Sequence, residues 1–139
     1  MKYTYEWDAD YGIAECWIRD GDCKFYGHAV CHPDDDDFMS ERTGCYIAEV
    51  RAGIKRLKWK RREAKLQLKT LKTLYRDMLD RSDINPDGLE MHYFNKRINE
   101  IAQTIAEIEQ DIRFEESYLA DYIANKDIMY QKIRKANAQ

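Results

Sequence analysis

The sequence predicts an α+β fold: an N-terminal antiparallel three-stranded β-meander followed by a long antiparallel two-helix hairpin, assembled as an oligomer. Three observations predict it. Apolar and polar residues alternate through the first third of the chain. From about Cys45 onward the apolar residues step by three and four. Within that helical part, Pro86 and Gly88 mark one break. At 139 residues with only 6 Gly and 2 Pro, the chain suits a single domain built on long helices. The expected layout is a meander over 1–32, an acidic loop over 33–44, a first helix over 45–82, a turn over 83–88 and a second helix over 89–136.

The first strand is KYTYEW, with Tyr3, Tyr5 and Trp7 on one face and Lys2, Thr4 and Glu6 on the other. DADYG supplies turn residues. IAECWIRD follows, placing Ala14, Cys16 and Ile18 opposite Ile13, Glu15, Trp17 and Arg19. DGD at 20–22 signals a tight hairpin into CKFYGHAVCH. Three strands with one apolar face need a cover, which the rest of the chain must supply. The run PDDDDFMSERTG reads as a solvated loop, since its aspartates lack the spacing of a calcium-binding loop.

The first helix carries a heptad seam over about 32 residues: Ile47, Val50, Ile54, Leu57, Arg61, Ala64, Leu68, Leu71, Tyr75 and Met78. Leu66, Leu74 and Leu79 widen the stripe. In the second helix the rhythm continues through Ile98, Ile101, Ile105, Ile108, Ile112, Glu115, Leu119, Tyr122, Lys126, Met129 and Ile133. A turn centred near Asn85 pairs each residue with one whose number completes a sum of about 170, within a turn of helix. Arg61 then lies beside Glu109, Arg56 and Leu57 beside Arg113 and Phe114, and Ile47 beside Ile123. Residues past about 124 overrun the first helix by about 15–20 Å and should dock on the sheet or on a second subunit.

Charge is segregated. Residues 1–49 carry net −8, residues 50–81 net +9 and residues 82–139 net −4, which sum to the overall −3. The net charge and the aspartate run disfavour long DNA, which they would repel outside one strip. The basic segment has two readings: neutralisation by the acidic first third, or a site for a phosphate ligand that arginine forks match. A nucleic-acid-binding helix over residues 51–72 is a third reading, and a coiled-coil-like interaction protein a fourth. Arg56 and Arg113 are the candidate phosphate ligands, with Arg51 or Arg97 in support. In EMHYFNKR, Tyr93 or Phe94 offers a stacking surface, Asn95 an amide to read a base edge and Arg97 further charge. That cluster lies about 25–30 Å along the helix from Arg113, so a shared pocket needs a subunit interface.

No nucleophile elbow, zinc-protease helix, P-loop or dinucleotide fingerprint occurs, so no enzyme, cofactor or metal is expected. His28 and His32 share a strand face, but Cys23 and Cys31 point to the other, so these four do not converge on a metal. Cys16, Cys23, Cys31 and Cys45 are expected as reduced structural thiols. With no long apolar run and no apolar leader segment, a cytoplasmic protein is expected.

The meander KYTYEWDADYGIAECWIRDGDCKFYGHAVCHPDDDDF, the stretch GCYIAEVRAGIKRLKWKRREAKLQLKTL and the second long helix together resemble the phage anti-Thoeris proteins of the sponge type. The resemblance spans most of the chain in architecture and sequence character. It implies a non-enzymatic protein, working in the infected bacterial host, that captures the cyclic ADP-ribose variant made by TIR-domain immune proteins. It further implies dimers that can assemble into hexamers, and binding of cyclic di- or trinucleotides by some members.

Overall fold

The structure is a computed structural model, and it describes residues 1–31, 40–81 and 83–138, apart from the side chain of Tyr130. His32 and residues 33–39 of the acidic loop lie outside the described residues. Five elements follow in order: β1 (Lys2–Asp8), β2 (Ile13–Asp20), β3 (Cys23–Val30), α1 (Glu41–Leu79) and α2 (Leu89–Ala138). The fold is α+β, an antiparallel three-stranded sheet in the order β1-β2-β3 followed by two long helices. No helix among the described residues is long and apolar enough to cross a membrane.

The chain divides into two compact units, Met1–Arg56 with Ile112–Gln139 and Leu57–Asp111. In the first unit, the registers Tyr5↔Cys16 and Cys16↔Gly27 confirm the strand faces. Ala14, Cys16, Ile18, Phe25 and Ala29 are buried on the inner face. Asp8 Oδ1 accepts the N–H groups of Asp10 (2.9 Å) and Tyr11 (3.2 Å), which closes the first turn. The second turn needs only Gly21 at φ 62°, the glycine-first arrangement of a type II′ hairpin.

The sheet's cover comes from the start of α1, not from the far end of α2. Gly44, Ala48 and Ala52, spaced by four, are buried. A Cβ at Gly27 would fall inside the backbone of α1, against Ala48 O and Ala52 N. Gly44 is equally constrained, since its Cβ would lie 2.9 Å from the Ala14 Cβ. Small residues on both sides therefore let helix and sheet backbones touch. The overrunning part of α2 stays bare, with Ile128 51% and Met129 43% exposed.

Helix α1 begins four residues before the expected start. Ser40 Oγ accepts the Thr43 N–H at 3.3 Å and the Ser40 carbonyl accepts from Gly44, a serine cap inside the run PDDDDFMSERTG that the sequence reads as loop. It ends at Leu79 rather than 82, and α2 runs two residues past 136. Strand β3 stops at Val30.

In the second unit, Met91 (1% exposed), Ile101 and Ile105 form the core. Asn85 closes the connecting turn by accepting the N–H groups of Asp87 on Oδ1 (3.1 Å) and Gly88 on its carbonyl (3.0 Å). The expected pairing of Arg61 with Glu109 does not form. Lys65 takes Glu109 at 3.3 Å, one turn further along, and Arg61 has no ion pair among the described residues. The seam is otherwise as expected: all its α1 members are half-buried or buried, while Leu66, Leu74 and Leu79 are exposed.

Candidate functional site

Helix α1 packs on the sheet through small residues, Gly44 beside Ala14 and Trp7 and Ala48 and Ala52 beside Gly27, and the inner face at Tyr5 is left partly open. Tyr5, on that face, remains 45% exposed. An open cleft of about 1020 Å³ lies there in the first unit. Helix α1 contributes its capped first turn, Ser40 to Thr43, and then Cys45, Tyr46 and Glu49. Helix α2 contributes Tyr118, Tyr122 and Lys126, which its four-residue spacing puts on one face. Four tyrosines thus meet two cations, Arg42 and Lys126, and two carboxylates, Glu41 and Glu49.

Contacts among the lining order it. The rings of Tyr46 and Tyr122 lie 4.9 Å apart at 54°. Lys126 Nζ sits 5.5 Å from the Tyr122 centroid, a cation–π contact that leaves the ammonium beside the cleft. Phe114, 66% exposed, stacks on Tyr118 at 6.2 Å. The Tyr5 hydroxyl donates to Glu49 Oε1 at 3.0 Å. Burial, and then that bond to the carboxylate, push the Tyr5 phenol up to about 12. Burial and the hydrogen bond with Tyr118 raise Tyr46. Burial and the nearby Glu41 raise the Cys45 thiol. At neutral pH these groups are protonated, so the cleft presents hydroxyls, ring faces and charges rather than nucleophiles.

The residues singled out from the sequence lie elsewhere. Arg51 Nη1 donates to the His28 carbonyl at 2.8 Å, which caps an outward-facing acceptor of the edge strand β3. Arg56 Nε donates to Asp20 Oδ2 at 2.7 Å, with the arginine side chain only 17% exposed. The acidic first third therefore does take up part of the basic segment. Arg113, in the same unit, is exposed and has no hydrogen bond or ion pair among the described residues. Tyr93, Phe94, Asn95 and Arg97 belong to the second unit. Tyr93 is 68% exposed, Phe94 half-buried, and Arg97 pairs with Glu100 at 3.4 Å. Asn95 lines a groove of about 770 Å³ with His92, Lys96, Asn99 and Gln103.

None of these seven lines the tyrosine cleft. Sequence reading placed Tyr122 and Lys126 in the helical seam and passed over Tyr46 and Tyr118. The available signal was Tyr118, Tyr122 and Lys126 at intervals of four, where a purely structural seam steps by three and four. Among the described residues no group of His, Cys, Asp or Glu is placed to hold a metal ion. No protein-family model, curated protein or solved structure matches this chain.

Proposed function

We propose that this protein binds a small nucleotide of the cyclic ADP-ribose type and holds it without reaction. On this reading it is a phage counter-defence protein of the anti-Thoeris sponge kind, acting in the host cytoplasm to withdraw the signal of TIR-domain immunity. Cyclic oligonucleotides fall in the same ligand class. The supporting observation is the composition of the cleft. Adenine stacks on tyrosine faces. Lys126 and Arg42 suit phosphates, and the positive end of the α1 dipole adds to them. The Glu41 carboxylate accepts from ribose hydroxyls, as acidic residues do in dinucleotide sites. At about 1020 Å³ the cleft is at the upper end of the range for small-molecule sites.

Calorimetric titration with the cyclic ADP-ribose variant, with linear ADP-ribose as control, tests this. Binding should be saturable and selective, and denaturing the complex should return the ligand intact. Recovery of a cleaved product would make the protein an enzyme. Tyr122→Ala and Lys126→Ala should each weaken binding about tenfold. Arg113→Ala tests the exposed arginine as a further phosphate ligand. If both cleft variants bind like the parent, the ligand does not sit in the cleft.

The exposed apolar residues Leu66, Leu74, Phe114, Ile128 and Met129 favour self-association as a companion reading. Light scattering after size exclusion should then give a dimer or hexamer; a monomer at micromolar concentration removes that reading.

A further inference from the structure

The outer face of the sheet, turned away from α1, is ordered in cross-strand rows. The registers Lys2↔Arg19 and Arg19↔Lys24 place three cations side by side at one end. Two residues along, Thr4, Trp17 and Tyr26 form the next row, and Glu6, Glu15 and His28 the one after. Rows on one face are about 6.6–6.8 Å apart and neighbouring strands about 4.8 Å.

The cation row runs against sheet energetics, because like charges directly opposite each other destabilise a strand pair. All three side chains are exposed, and no hydrogen bond or ion pair engages them among the described residues. The aromatic row is built more tightly. Trp17 and Tyr26 lie 5.4 Å apart at 45°, and His28 stacks on Tyr26 at 5.6 Å and 15°. Lys55 reaches round the edge of β3 to put its ammonium 5.5 Å from the Tyr26 centroid. The Tyr26 hydroxyl is held by the Glu15 carboxylate. Trp17 and Tyr26 are half-buried, so the row is half open.

We infer that this face binds single-stranded nucleic acid, with phosphates on the Lys2–Arg19–Lys24 row and a base against the Trp17–Tyr26 row. Aromatic rings beside a track of positive charge are the arrangement that single strands need, since every base has a ring face and every nucleotide a phosphate. A duplex does not fit, because its bases are already stacked. The surface differs both from the tyrosine cleft and from the basic stretch of α1.

The test is fluorescence anisotropy with a labelled strand of about fifteen thymidines at about 50 mM salt. Saturable binding is expected, with an abasic strand of equal length at least about tenfold weaker. Three cations releasing counterions at about 0.7 each give a log–log salt slope near −2, or about a 20-fold loss between 50 and 200 mM. Arg19→Glu with Lys24→Glu should flatten that slope to below −1 in magnitude and weaken binding. Trp17→Ala should weaken the thymidine strand about tenfold and leave the abasic strand unchanged. Equal affinity for the thymidine and abasic strands of the parent protein, no binding at low salt, or indifference to the charge reversals would each overturn the inference. The abasic comparison needs no variant, so a poorly folding Trp17→Ala would not protect the inference from refutation.

Discussion

Gly27→Ala probes the contact on which the first unit is built. The added Cβ would lie 2.5 Å from Ala52 N and closer still to Ala48 O, where ordinary contact begins at 3.4 Å. The atoms in the way are helix backbone, which cannot rotate aside. Relief therefore requires α1 to lift from β3 by about 1 Å along its contact, loosening Ala48, Ala52 and the inner-face residues Cys16 and Ala29 together. Overpacking by one methyl typically costs about 1–3 kcal/mol, and backbone on both sides puts this case at about 3 kcal/mol or more. With a urea dependence of about 1–3 kcal/mol per molar, a loss of about 3 kcal/mol lowers the unfolding midpoint by about 1–3 M, read by far-ultraviolet circular dichroism. Gly53→Ala is the matched control. Its Cβ meets nothing within 4 Å, so it should stabilise by about 1 kcal/mol through helix propensity alone. A Gly27→Ala midpoint within error of the parent would refute the proposed close packing.

Other expectations follow from single contacts. Arg56→Ala should cost about 1–2 kcal/mol by removing the half-buried ion pair with Asp20, and the loss should shrink at high salt. Tyr5 is held protonated in the folded state, so its contribution to stability is complete below about pH 10 and is lost as pH rises toward 12. A spectrophotometric phenolate titration should show, among its late steps, one that Tyr5→Phe removes and Glu49→Gln moves to lower pH. Lys24→Glu, which places a carboxylate between Arg19 and open solvent, should stabilise the unliganded sheet by about 0.2–1 kcal/mol in urea melts.

Much of the architecture was legible because it is periodic. Alternation in KYTYEW and IAECWIRD assigned the strand faces, and the registers bear it out residue by residue. The three-four rhythm named the half-buried or buried seam of α1, including the out-of-place Arg61, and that of α2 as far as Lys126, whereas Met129 is exposed. The binding surfaces were less legible. Arg51 and Arg56 looked like ligands for an anion because a local sequence window does not show that His28 and Asp20 reach them. The tyrosine cleft draws on residues as far apart as Tyr5, Tyr46 and Tyr122, which no local pattern brings together.

What the sequence by itself determined is the set of elements and their buried faces, because hydrophobic period and turn chemistry act over a few residues. Tertiary structure alone decided which element covers the sheet. That choice rests on Gly27, Gly44, Ala48 and Ala52, whose smallness has no period of its own and gains meaning only when two backbones meet. By drawing α1 onto the sheet, those four residues leave Tyr5 of β1 to line the tyrosine cleft and turn the Trp17–Tyr26 row outward.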